Sequence, residues 1–186
     1  MAIIVVGGSG KDVGKTGLVC AVIAALQDFD WTAVKITGHD YVNLDTPDRT
    51  SHISQPVIRE ETRAGQGTDT ARYLAAGAKR ALLVTRSADE VPIQEIRAAL
   101  GDDRNVIFES NRIVEYIKPD LCLAVAGGDA NKPSFKRLLD NAHGVVRTGE
   151  HDGHRLAEGI PLFQLASLDR LTDEMIRWMR QHLARG

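Results

Sequence analysis

The sequence predicts an α/β domain of three layers, a mostly parallel central sheet with helices on both faces. Three features point there. Short apolar runs rich in Ile and Val alternate along the chain with segments of helical spacing. A glycine-rich loop joins the first such run to the first helix. Neither a repeat nor a low-complexity linker interrupts the 186 residues, so residues 1–186 are expected to form a single domain.

AIIVVGG (2–8) is a continuous apolar run of the kind a strand buried on both faces requires, and is expected to be the central strand. From Gly14 the pattern changes to Leu18, Val22, Ile23 and Leu26, a helical spacing. WTAVKIT (31–37) reads as a second strand, TDTARYLAAGA (68–78) as a helix, RALLVTR (80–86) as a strand and PIQEIRAAL (92–100) as a helix with Pro near its first turn. NVIFES (105–110) is a strand, NRIVEYI (111–117) a short helix, DLCLAVAG (120–127) a strand, PSFKRLLDNA (133–142) a helix and GVVRT (144–148) a strand. LFQLA (162–166) reads as a last strand before LTDEMIRWMRQHLAR (171–185), a helix whose Leu171, Met175, Ile176, Met179 and Leu183 mark one face. Residues 38–67 break the rhythm, rich in Thr, Asp, Ser, His and Arg with little periodicity. A loop of that length in a compact domain is functional or disordered. This one begins at the carboxyl end of a strand, where open α/β sheets place their ligands.

The balance of 23 basic against 25 acidic residues gives a formal charge of -2, which offers no global attraction to nucleic acid or a membrane surface. An anion site must then be local. Cys20 and Cys122 lie in apolar runs and form no C-x-x-C pair, so buried thiols in a reducing compartment are expected. The opening AIIVV is too short for a signal sequence and lacks a basic flank, and no apolar stretch reaches spanning length. The expectation is a soluble, cytoplasmic protein.

The loop GSGKDVGKT (8–16) misses the pattern G-x-x-x-x-G-K-[ST], because Ser9 stands where that pattern has Gly. Phosphate, however, requires a turn of exposed backbone N–H groups, a Lys and a hydroxyl at a helix opening. All three are present if the loop is one residue longer and starts at Gly8. Gly8, Ser9, Gly10, Lys11, Asp12, Val13, Gly14, Lys15, Thr16 and Gly17 are therefore the expected nucleotide-binding stretch. Its amides wrap the β-phosphate of ATP or GTP, Lys15 bridges the β- and γ-phosphates, and Thr16 holds Mg2+ through its hydroxyl. A Rossmann dinucleotide site would want G-x-G-x-x-G, whereas Gly8, Gly10 and Gly14 are spaced one residue wider and the second strand ends in KIT without an acid. The GKT tripeptide decides for a P-loop NTPase fold.

Glu109 ends the strand NVIFES, beside the first strand in the expected sheet, where its carboxylate can face Mg2+ directly or through water, or orient an attacking group. Asp40, just past the second strand, is a second candidate for both tasks, equally well read as a turn residue. Lys35 lies inside AVKIT, where a charge is costly unless it faces an anion. Lys11 can add charge at the γ-phosphate, reach a partner's nucleotide, or simply be solvated. Asp69 and Arg72 fit either the substrate side or a surface helix face. His39, His151 and His154 have no carboxylate or cysteine spacing that would make a metal site, and read as polar turns. Asn131 and Lys132 resemble a guanine-reading N-K pair but lack its Asp, so they read as a loop capping the next helix.

The loop's closing V-G-K-T and its length resemble the variant P-loop of dethiobiotin synthetase, of the form G-T-x-x-x-V-G-K-T. A longer resemblance, over roughly residues 1–86, is to the molybdopterin-guanine dinucleotide biosynthesis protein MobB. Its second strand ends in a V-K-x-x-x-H-D type segment, matched by Val34, Lys35, His39 and Asp40. Its next helix reads D-[ST]-x-R-[FY]-x-x-A-G-A, matched by Asp69, Thr70, Arg72, Tyr73, Ala76, Gly77 and Ala78. The chain departs from that family in its lengthened loop, in Lys11 and Asp12, and in a strand that ends FESN rather than E-G. The MobB resemblance implies a homodimer with nucleotide-dependent accessory work in molybdenum-cofactor maturation, its partner a molybdenum-cofactor enzyme. The dethiobiotin-synthetase resemblance implies an ATP-dependent ligase or kinase, with Lys35 binding a small-molecule substrate and phosphate.

Overall fold

The computed structural model describes residues 1–38, 56–85, 90–127, 131–148 and 159–184. Eight strands form one sheet: β1 (Ala2–Gly8), β2 (Thr32–Thr37), β3 (Val57–Glu60), β4 (Arg80–Thr85), β5 (Asn105–Glu109), β6 (Leu121–Ala126), β7 (Gly144–Thr148) and β8 (Leu162–Leu165). Their order is β3-β4-β2-β5-β1-β6-β7-β8. All neighbours are parallel except β3, which runs antiparallel to β4 with Val57 opposite Thr85. The α-helices are α1 (Lys15–Ala25), α2 (Asp69–Ala75), α3 (Ile93–Leu100), α4 (Pro133–Leu139) and α5 (Asp173–Leu183). Among the described residues, no helix is long and apolar enough to cross a membrane.

The three layers follow from the alternation of strand side chains. Ile4 and Val6 of β1, Ala33 of β2 and Leu121, Leu123 and Val125 of β6 point to a core shared with Leu18 and Val22 of α1, Tyr73 of α2 and Met175 and Met179 of α5. The residues between them, Val5, Val34, Cys122 and Ala124, point to a second core with Ile96 of α3 and Phe135 and Leu138 of α4. A central strand covered on both faces needs an unbroken apolar run, and β1 has one.

Two details differ from the sequence reading. The aperiodic stretch 38–67 contains the edge strand β3, whose half-exposed Val57 and Ile58 and exposed Arg59 and Glu60 carry too little apolar pattern over four residues to announce a strand. Residues 111–117 form only a single 3-10 turn, Ile113–Glu115, rather than a helix.

The topology positions the site. Chain order reverses around β1, which pairs with β5 on one side and β6 on the other. The register sets Val6 opposite Glu109, and Glu109 opposite Lys35 of β2. Two functional candidates, Lys35 and Glu109, thus meet toward the carboxyl ends of adjacent parallel strands, where such sheets form their crevices.

Candidate functional site

The glycine loop leaves β1 at Gly8 and enters α1 at Lys15. Gly14, the residue before the helix, has φ 91°, and Asp12 has φ 56°. These two left-handed residues make the turn that lifts the loop over the helix end. No side chain caps α1 and its first turn carries no acid, so its first N–H groups face the cleft and the helix dipole presents its positive end. The loop's start is clamped by Asn111, whose Oδ1 accepts from Gly8 N at 2.7 Å and whose Nδ2 donates to Gly8 O at 2.9 Å. Its base is tied to β6: Ser9 N donates to Val125 O at 3.0 Å and Gly127 N donates to Ser9 Oγ at 3.0 Å.

Beneath the loop, Thr16 Oγ1 donates to Glu109 Oε2 at 2.9 Å. The buried phenol of Tyr73 donates to the same oxygen, and Lys35 Nζ donates to Oε1. Lys35 also pairs with Asp69 Oδ2 at 2.8 Å. Glu109 is 2% exposed, so the charge that burial would penalise is compensated by one ammonium and two hydroxyls. Lys15 Nζ donates to Gly10 O.

These contacts explain the titration of the cluster. Burial lowers the Lys15 pKa, only partly offset by the charge of Glu109. For Lys35 burial also opposes the charged form, but Glu109 and Asp69 outweigh it and hold the pKa above its usual value. Burial would raise Asp69, yet the bond and charge of Lys35 keep it below the usual carboxylate range. Burial, then Glu109, push Tyr73 well above its ordinary value, so the phenol stays a donor.

A cleft of about 740 Å³ opens above this cluster. Of the expected nucleotide-binding stretch, Gly8, Gly10, Lys11, Asp12, Gly14, Lys15, Thr16 and Gly17 line it, together with Lys35 and Glu109. Ser9 is buried, tied to Gly127, and Val13 packs at the loop's base against Gly8 and Gly127; neither lines the cleft. Lys11 is exposed at the rim. Asp40, His39, His151 and His154 lie outside the described residues. Asp69, Arg72 and Lys132 line the cleft, and Asn131 does not.

No family model matches the sequence, and no curated protein matches it. Two solved structures are similar along the chain. One is a MobB protein homolog from Bacillus stearothermophilus, 18% identical, with all of both chains covered and a TM-score of 0.46. The other is Bacillus subtilis MobB, 14% identical, with 98% of each chain covered and a TM-score of 0.47.

Two residues at the site escape a reading by motif. Asn111 and Leu168 come from loops far along the chain, and Leu168 packs so closely on the turn that a Cβ on Gly14 would lie 2.3 Å from its Cδ1. Tyr73 stands in the matched D-[ST]-x-R-[FY]-x-x-A-G-A segment, and it follows Asp69 by four residues and so shares its face of α2. The whole arrangement presents open amide donors, two lysines and a hydroxyl–carboxylate pair around one crevice, a set suited to binding and stabilising a polyphosphate.

Proposed function

We propose that this chain is a Mg2+-dependent P-loop protein that binds and hydrolyses GTP or ATP. The carrying observation is the Thr16–Glu109 hydrogen bond at the opening of α1, directly under the glycine loop and beside Lys15. A hydroxyl and a carboxylate are oxygen donors of the kind a hard divalent cation takes, so the residues present fit Mg2+. Mg2+ supplies charge neutralisation on the phosphate oxygens. The loop amides and Lys15 would bind phosphate, and Thr16 and Glu109 would hold the metal, Glu109 also orienting the nucleophile. Lys35 balances Glu109 and Asp69 and lines the same cleft, where its charge would favour phosphate. Asp40 remains proposed as a second metal or water-orienting group, and Ser9 and Val13 as residues that brace the loop.

Within this reading, the Lys35 and Asp69–Tyr73 motifs support a MobB-like accessory role in molybdenum-cofactor biosynthesis, carried out by a cytoplasmic homodimer with a molybdenum-cofactor enzyme as partner. Arg72, lining the same cleft, favours a second reading as an ATP-dependent small-molecule ligase or kinase, because it places another cation where an anionic acceptor would bind. Turnover separates the two. Slow hydrolysis stimulated by a protein partner supports the accessory role, and hydrolysis that requires a metabolite supports the ligase or kinase. No GTP or ATP hydrolysis under either condition would contradict the proposal.

A further inference from the structure

We infer that Tyr73 is the positioning residue of the metal site: its phenol fixes the carboxylate of Glu109, which in turn aims the lone pairs of Thr16 into the cleft for a divalent cation. The inference rests on the nucleotide reading above and adds a buried residue that does not line the cleft.

The hydrogen-bond inventory carries the argument. A Thr hydroxyl has one proton and two lone pairs. In this site Glu109 Oε2 and the Asp69 carboxylate are the acceptors for that proton, while Thr16 itself lines the cleft. Its lone pairs are then available to a cation. That arrangement depends on where Oε2 stands. A Glu side chain has three rotatable bonds, and the terminal one is broad and soft. Lys35 holds Oε1 but is itself drawn toward Asp69, so it does not by itself set the carboxylate plane. Tyr73 supplies the missing restraint. It is fully buried, packed in the core with α1, and donates to the same Oε2 that accepts from Thr16. The ring has two torsions, both confined by packing, so it is a rigid donor. Asp69, one turn earlier on the same face of α2, anchors Lys35. One short helix thus steadies both oxygens of Glu109.

The test measures metal binding itself. Free Mn2+ is titrated by electron paramagnetic resonance against the full chain saturated with a non-hydrolysable GTP or ATP analogue, and analogue affinity is measured separately in excess EDTA. Tyr73→Phe keeps the ring and removes the donor. It is expected to weaken Mn2+ binding roughly tenfold, the scale of one hydrogen bond to a charged group, with metal-free analogue affinity unchanged. Replacing Tyr73 with para-aminophenylalanine, which restores an N–H donor in the same shape, recovers most of the loss. In a Glu109→Ala background, which removes the acceptor of the Tyr73 bond, Tyr73→Phe adds nothing further. Unchanged Mn2+ affinity in Tyr73→Phe overturns the inference. So does an equal loss of analogue affinity in EDTA, no recovery with the amine, or a full additional loss in the Glu109→Ala background. Wild-type protein that binds no analogue even in EDTA overturns the nucleotide reading first, and the inference with it.

Discussion

Lys35 Nζ lies 2.8 Å from Asp69 Oδ2 while donating to Glu109 on its other side, so one ammonium joins β2, β5 and α2. This gives the fold a defined response to pH. The Asp69 pKa is depressed below its ordinary 3.8, so its contribution is complete above that value and is lost as pH falls through the depressed value. Lys35 is raised above its ordinary 10.5, so its contribution is complete below that pH and is lost as pH rises through the raised value. The Tm difference between wild type and Asp69→Asn should therefore be constant near neutrality and shrink in acid below pH 3.8. A difference that grows in acid would contradict the pairing.

Asn111→Ala removes both hydrogen bonds to Gly8 and leaves that buried backbone without its partners. A cost of about 2 kcal/mol is expected in urea unfolding, for two bonds of about 1 kcal/mol each. The loop is fixed at this point, so nucleotide affinity should fall as well.

Ser9→Gly restores the regular glycine pattern at the position where the sequence departs from it. Ser9 braces the loop, its Oγ accepting from Gly127 N. The substitution should therefore cost about 1 to 2 kcal/mol of stability, from the lost acceptor and the added chain freedom. Nucleotide affinity should stay unchanged. Tighter nucleotide binding by the variant would show that the loop is strained by its serine.

Gly14→Ala places a Cβ at a residue with φ 91°, 2.3 Å from Leu168 Cδ1. Leu168 can swing aside, but the left-handed backbone cannot be relieved in the same way, and about 1 to 3 kcal/mol of destabilisation is expected. Thermal unfolding and nucleotide binding should weaken together, because this turn sets the direction of α1.

The alternation of apolar runs and helical spacings made β1, β2 and β4 to β7 readable from the sequence within a few residues, because strands buried on both faces cannot avoid that composition. The edge strand β8, with Leu162 and Gln164 exposed, was readable only from its run of Leu162, Phe163 and Leu165 before the closing helix. β3 was not readable: an edge strand with two half-exposed and two exposed residues has no such constraint. Lys15, Thr16 and Glu109 could be singled out because each stands at a strand or helix end whose position follows from the fold, and Lys35 because it is a charge inside an apolar strand. Asn111 and Leu168 could not, since each acts through a contact that only the folded chain creates; Tyr73 was matched in a motif, but its bond to Glu109 is likewise a product of the fold. Thr16 and Glu109 themselves are 93 residues apart in sequence and share one hydrogen bond.

The central claim is that the lengthened glycine loop binds a nucleoside triphosphate with Mg2+. Isothermal titration of the purified chain with non-hydrolysable GTP and ATP analogues plus Mg2+, repeated with Lys15→Ala, tests it most directly. The account predicts saturable one-to-one binding of at least one analogue that is lost in Lys15→Ala. Binding of neither analogue, or equal binding by wild type and variant, would contradict it.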